Sequence, residues 1–183
     1  MFGVCKSGFQ DKFKQINDQI FVVGETRGHL SCSIYEREIL KIEDQKNPPK
    51  VNLIEEKKNS EFVRELIANN LINACHDISD GGLLVALFEM STKELGCKID
   101  ISSLKNDEIS DENAILFGED QSRYIVAIEG SNLKDFLKIV EKNKILIFKI
   151  GEVIGENISL NSQKINVADL QKISQLTFEK NFS

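Results

Sequence analysis

The sequence predicts a layered α/β (α+β) domain, a mixed β-sheet flanked by helices, on three observations. Apolar runs of strand length alternate with amphipathic stretches of helical period. Polar, glycine-containing knots sit at the junctions between them. The length of 183 residues, with 41% hydrophobic residues, is enough to bury one substantial core.

Ile20 to Val23 form a short apolar run that stops at Gly24 and reads as a buried strand. A polar loop follows from Gly24 to Ser31, with glycines around Arg27 and His29, and Ser33 to Leu40 resumes a helix-like pattern. Asn47-Pro48-Pro49 breaks it, because proline fixes φ and removes a backbone donor. This cluster predicts a boundary between residues 1–46 and residues 47–183. Beyond it, Leu53, Ile54, Phe62, Leu66 and Ile67 approximate one helical face, with Glu55, Glu56, Lys57 and Lys58 on the solvated side. Leu71 to His76 is a strand candidate, and Leu83, Leu84, Ala86, Leu87 and Met90 suit a buried helix ending near Gly96. Lys98 to Ile101 is a weak strand, and Asp111 to Phe117 a short helix with an acidic first turn. Tyr124 to Ile128 reads as a strand, and Ser131 as the cap of an amphipathic helix carrying Leu133, Phe136, Leu137 and Val140. Ile145 to Ile150 returns as a strand, Ile158 to Leu160 and Lys164 to Val167 as a hairpin, and a helix starts at Ala168.

Lys and Arg number 23 against 29 Asp and Glu, so the net charge of −6 provides no basic field for nucleic acid or an anionic membrane. No apolar run reaches the length of a membrane span, and Met1 to Lys14 alternates Phe with Lys and Asp without a signal-peptide core. The expectation is a cytoplasmic protein. Cys5, Cys32, Cys75 and Cys97 are scattered without a C-x-x-C pair, which fits reduced packing thiols better than disulfides or a zinc site.

The sharpest chemical feature is His76-Asp77-Ile78-Ser79-Asp80-Gly81-Gly82, between a strand and a helix. Adjacent glycines admit close backbone approach, and the N–H groups of the new helix suit a phosphate. Asp77 and Asp80 would repel a bare phosphate unless a hard cation such as Mg²⁺ lies between, so a metal-nucleotide site is one reading. The other is that Asp80 caps the helix and the glycines make a tight turn. Gly118-Glu119-Asp120-Gln121-Ser122-Arg123 could orient a metal and a polar substrate, with Arg123 as an anion-binding fork, or be a charged turn. Glu25-Thr26-Arg27-Gly28-His29 reads as a plain loop, and His76 as an orienting or packed residue more than an acid or base. No nucleophile elbow, Walker loop or metalloprotease helix is present.

Three segments occur in order: Gly24-Glu25-Thr26-Arg27-Gly28-His29-Leu30, His76-Asp77-Ile78-Ser79-Asp80-Gly81-Gly82-Leu83 and Leu116-Phe117-Gly118-Glu119-Asp120-Gln121-Ser122-Arg123. With Ser33 to Leu40 and Ile165 to Leu170, they resemble the last part of the phosphoribosylformylglycinamidine synthase large subunit, over nearly the whole chain. The wider superfamily includes aminoimidazole ribonucleotide synthetase, selenophosphate synthetase and thiamine-monophosphate kinase, and the Glu-Thr-Arg-Gly-His-Leu and Gly-Glu-Asp-Gln-Ser-Arg segments favour the purine synthase.

The resemblance implies a domain like the C-terminal domain of aminoimidazole ribonucleotide synthetase. Residues 1–46 would end the preceding barrel-forming domain, and residues 47–183 would form the C-terminal α/β domain. It implies an ATP- and Mg²⁺-dependent C–N ligase that converts formylglycinamide ribonucleotide to formylglycinamidine ribonucleotide with ammonia from glutamine. Asp77, Ser79, Asp80, Gly81, Gly82 and Gly118 would bind the nucleotide, Asp80 and Glu119 the metal, and Asp120, Ser122 and Arg123 the substrate. Asp120 stands where many relatives carry Ser, which changes what that position offers a substrate. The catalytic His and the Lys and Arg residues of the family's first half have no counterpart, so no catalytic residue is assigned. The implied partners are the missing N-terminal half, a glutaminase subunit, a small bridging subunit and the ribonucleotide. A nucleotide-binding or scaffold module of the same complex is the alternative.

Overall fold

The computed structural model describes residues 10–44 and 46–182, with side chains described to residue 177. Cys5 and most of the Met1–Lys14 stretch lie outside the described residues. The strands are β1 (Gln19–Val23), β2 (Ala74–Asp77), β3 (Gly96–Ile99), β4 (Tyr124–Ile128), β5 (Ile147–Ile154), β6 (Asn157–Leu160) and β7 (Gln163–Asn166). The helices are α1 (Ile34–Glu38), α2 (Leu53–Ala68), α3 (Gly82–Met90), α4 (Glu112–Phe117), α5 (Leu133–Asn143) and α6 (Val167–Phe182). Among the described residues the strands form one seven-stranded sheet in the order β2-β4-β1-β5-β3-β6-β7. Every pairing is antiparallel except β3 with β6, so the sheet is mixed as predicted.

Both faces of the central strands are covered. Ile20 and Val22 of β1 join Ile125 and Ala127 of β4 in a core with Leu83, Leu87 and Met90 of α3 and Ile115 of α4. The intervening Phe21 and Val23 join Val126 and Ile128 in a second core, against Phe62 and Leu66 of α2 and Phe136 of α5. Side chains along a strand alternate between faces, so a strand covered on both sides must be apolar at consecutive positions. That is why Ile20 to Val23 and Ile125 to Ile128 read as unbroken apolar runs.

Several expectations shift. The sheet crosses the predicted 46/47 boundary: β1 lies between β4 and β5, so residues before Asn47 supply a central strand of the same sheet rather than the end of a separate unit. Helix α1 already ends at Glu38, ahead of the Asn47-Pro48-Pro49 cluster, so the prolines neither end that helix nor divide the core. Leu53 and Ile54 do not share the buried face of α2, being 75% and 83% exposed, while Phe62 and Leu66 are buried. At about 100° per residue Leu53 points opposite to Phe62. The N-cap of α2 is Asn52, whose side chain accepts from the amides of Ile54 and Glu55. Ahead of α5, Ser131 lies in a 3-10 turn and Asn132 takes the cap position, its side chain donating to the Asn70 and Leu71 carbonyls and accepting from no amide of the helix. Helix α3 ends at Ser91, whose hydroxyl donates to the Leu87 carbonyl at 2.7 Å, and Gly96 begins β3 instead. The predicted hairpin is β6–β7, pairing Asn157 with Asn166.

Cys32, Cys75 and Cys97 are free thiols, and burial pushes the pKa of Cys75 and of Cys97 up to about 12. No helix among the described residues is long and apolar enough to cross a membrane.

Candidate functional site

Strand register decides where the polar knots meet. Tyr124, the first residue of β4, is the partner of Val23 at the end of β1 and of Asp77 at the end of β2. The chain therefore leaves β1 into residues 24–30, leaves β2 into residues 78–82 and enters β4 from residues 118–123 at one end of three adjacent strands.

Two acidic side chains then tie the three loops together. The amides of Arg27 and Gly28 donate to Asp120 Oδ2 at 2.8 and 2.9 Å, and the amide of His29 donates to Oδ1 at 3.2 Å. Asp120 is only 3% exposed, and a carboxylate is tolerated in such a place when its acceptors are filled. Its neighbour Glu119 accepts at Oε1 from the amide of Gly81 at 2.8 Å and from the amide of Ile34 at 2.8 Å. The Glu119 amide donates to the His29 carbonyl at 2.9 Å.

Arg123 closes the arrangement from beneath. At 1% exposure it donates Nη1 to Thr26 Oγ1 at 3.2 Å, Nη2 to the Gly118 carbonyl at 2.6 Å and Nε to the Asp120 carbonyl at 3.3 Å. Burial pulls its pKa down, and Asp120 opposes that. Ser122 is also buried, in a left-handed conformation (φ 66°), and its carbonyl accepts Asn59 Nδ2 at 2.9 Å. Among the described residues no buried side-chain nitrogen or oxygen lacks a partner. Asp120 and Arg123, expected to meet a substrate, thus have their polar atoms engaged within the chain.

The glycines serve the same convergence. Gly82 has φ +73°, and a Cβ there would lie 2.7 Å from the Phe117 carbonyl carbon. At Gly24 (φ +94°) a Cβ would lie 2.6 Å from the Ser122 carbonyl oxygen. Close approach is to the neighbouring loop in both cases, and for the Gly81-Gly82 pair the sequence allows either close approach of a ligand or a tight turn.

Asp77, Ser79 and Asp80 form the exposed lip of the site. The N-cap of α3 is Gly81, with no side-chain bond, so Asp80 does not cap the helix. The Gly81 amide is held by Glu119 and the Gly82 amide by the Ser79 carbonyl at 3.0 Å, so these two donors are spent within the chain. His76 Nδ1 lies 2.7 Å from the Asp77 carbonyl and Nε2 lies 3.6 Å from Glu89, which holds the ring in place. No group of three or more His, Cys, Asp or Glu arranged to hold a metal is present among the described residues.

Sequence reasoning missed one wall. A cleft of about 340 Å³ lies between the first knot and the proline segment, lined by Arg27, His29, Asn47, Lys50, Asp120 and Gln121 among others. His29 Nε2 sits 2.8 Å from the Asn47 carbonyl, and Arg27 Nη2 sits 3.3 Å from Glu55. Pro48 and Pro49 had signalled only a helix break, and nothing local marks a break as a wall.

The family described as AIR synthase related protein, C-terminal domain, matches residues 15–161. The phosphoribosylformylglycinamidine synthase subunit PurL of Bartonella bacilliformis is 39% identical over 179 residues, covering 97% of this chain and 23% of that protein. The chain spans about a fifth of the length of the curated relatives it matches. Among solved structures, Thermotoga maritima PurL complexed with FGAR superposes with a TM-score of 0.71 at 20% identity, over 88% of this chain and 29% of that one. The same protein complexed with ATP gives 0.67 at 18% identity, over 87% and 26%. At these identities the likeness to the solved structures is one of fold.

Proposed function

Because this chain belongs to the AIR synthase related family, as its C-terminal domain, we propose that it forms the nucleotide-facing C-terminal portion of a phosphoribosylformylglycinamidine synthase. The reaction in which it takes part is the ATP- and glutamine-dependent conversion of formylglycinamide ribonucleotide to formylglycinamidine ribonucleotide, a C–N ligation of purine biosynthesis carried out in the cytoplasm. The single observation that carries this reading is the convergence of three ordered motif loops at one end of β1, β2 and β4, with Glu119 and Asp120 as the ties.

Residue roles follow from exposure. Asp77, Ser79 and Asp80 face solvent and are the groups that meet the nucleotide and its metal. Gly81, Gly82 and Gly118 contribute by fixing the loop backbone against its neighbours. Asp120, Ser122 and Arg123 act on the substrate through the loops they hold rather than by touching it. A magnesium ion that arrives with phosphates needs only one or two carboxylates from the protein. Asp80, which precedes the Gly81 whose amide Glu119 holds, and Glu119 itself are the carboxylates that would meet that need, whereas a metal cage made of protein alone does not fit. When bound, Mg-ATP would supply the phosphoryl group that turns the amide oxygen of the substrate into a leaving group for ammonia to displace. The chain is inactive alone and works with the remainder of the synthase, a glutaminase subunit and a small bridging subunit.

The complete internal pairing of Asp120 and Arg123 favours a second reading, a non-catalytic nucleotide-binding or scaffold module of the same complex. Calorimetry with Mg-ADP on the full chain tests both. Saturable binding weakened about tenfold or more by Asp80→Ala supports the site; no binding at all overturns both readings. Loss of turnover in a reconstituted complex carrying Asp80→Ala supports the catalytic reading, and unchanged turnover favours the scaffold.

A further inference from the structure

Among the described residues, twelve large hydrophobic side chains are exposed, and six of them lie between residues 39 and 54: Ile39, Leu40, Ile42, Val51, Leu53 and Ile54. Scattered evenly, a stretch that short would hold about one, so exposed apolar side chains are concentrated along this segment, and such concentrations mark candidate interaction surfaces. The segment is anchored beside the motif loops at both ends. Glu119 holds the amide of Ile34 ahead of it, His29 meets the Asn47 carbonyl within it, and Arg27 meets Glu55 just after it. Leu53 and Ile54 are held outward by the cap that Asn52 places on their helix, so their exposure is built in rather than frayed.

We propose that this apolar strip is the docking face for the portion of the synthase that this chain does not span. The proposal rests on the functional reading above and names the surface through which the site is joined to its partner. The curated relatives are four to five times as long as their match to this chain, so the portion outside that match is large enough to cover the strip. The strip also adjoins the cleft walled by Arg27, His29 and Asn47, so a chain seated on it would close that cleft. Charge points the same way. Residues 36–58 carry six acidic and six basic side chains, a balance that neither draws in a polyanion nor selects an anionic membrane, and leaves apolar contact as the basis of recognition.

The test is site-specific photocrosslinking of the full chain in its own cells, with a benzophenone side chain at Ile42 or Leu53 and, as control, at Leu146 or Ile173 on other exposed surfaces. The expected crosslinks run from the strip, and not from the control positions, to peptides matching the part of the relatives outside this chain. A Leu53→Asp, Ile54→Asp double variant is expected to reduce that yield at least tenfold while retaining the native circular dichroism spectrum. Crosslinks from the strip only to a second copy of this chain, to an unrelated protein or to nothing overturn the proposal, as does a yield the double variant leaves unchanged. Mg-ADP calorimetry on the unaltered chain separates the outcomes: retained binding with no such crosslink from the strip sinks this surface alone, and no binding sinks the functional reading.

Discussion

The carboxylate of Asp120 accepts the amide of Gly28 at 2.9 Å across 92 positions of sequence, joining two polar knots that sit on different connections of the sheet. The same carboxylate also serves Arg27 and His29 and lies 3.8 Å from the guanidinium of Arg123. One side chain therefore fixes the loop after β1 against the loop before β4, and its removal leaves three backbone amides without their acceptor and the Arg123 guanidinium without the carboxylate beside it.

Replacing Asp120 with Ala is expected to destabilise the fold by about 3–5 kcal/mol, since it leaves a buried cation and several amides unpaired. Urea denaturation of the variant against the parent chain measures this. Asp80→Ala, at an exposed position, should change stability by no more than about 0.5 kcal/mol in the same experiment. Equal losses for the two would show that Asp120 is not the tie described here.

Gly82→Ala places a methyl group 2.7 Å from the Phe117 carbonyl carbon at a left-handed φ of +73°. Neither partner is a flexible side-chain end, so the loop must move, at a cost of about 2 kcal/mol or more. A thermal melt should fall accordingly, and Mg-ADP binding should weaken with it because the Gly81 amide is drawn off Glu119. A variant that melts with the parent chain would contradict the close approach.

Asp18 is buried at 0% exposure and accepts from Asn73 Nδ2 at 2.8 Å and Gln15 Nε2 at 3.0 Å. Desolvation by burial outweighs those two bonds, and its pKa lies above the ordinary 3.8. A carboxyl raised on folding binds more protons in the folded state, so its contribution is fullest below 3.8 and declines as pH rises through the folded value. The stability of Asp18→Asn relative to the parent chain should therefore improve between the lower and upper ends of the carboxylate range, measured by denaturation at a series of pH values. A difference that stays flat across that range would contradict the desolvation argument.

With thiol pKa values near 12, Cys75 and Cys97 are almost entirely protonated at neutral pH. In a chain carrying Cys5→Ser, iodoacetamide at pH 8 should modify the half-exposed Cys32 first and leave the other two intact until denaturant is added. Mass spectrometry of the labelled peptides reads the order. Labelling of Cys97 in the folded chain would show that the core over β3 opens.

Much of the order of elements was legible locally. Ile20 to Val23 and Tyr124 to Ile128 announce strands because both faces are covered, and the acidic stretch from Asp111 announces a short helix, in which Asp111 itself stands just outside as the cap on the Asn113 amide. Leu53 and Ser131 misled because composition looked right while the phase around the helix, or the preceding turn, was wrong. The predicted boundary at Asn47 misled for another reason. Proline governs two or three residues of backbone, whereas the place of β1 in the sheet is set by partners more than a hundred residues away.

The site divides in the same way. The residue types at the three knots were fixed by sequence alone: acids, glycines and one arginine at strand ends, with enough specificity to identify the family. The tertiary structure decided which of them face solvent. Asp120 and Arg123 turn inward because the amides of Arg27, Gly28 and His29 and the carbonyl of Gly118 converge on them, while Asp77 and Asp80 stay outside. An acid alone in a loop carries no mark of which donors a distant strand pairing will bring within 3 Å of it, so its direction belongs to the fold and not to its neighbours in sequence.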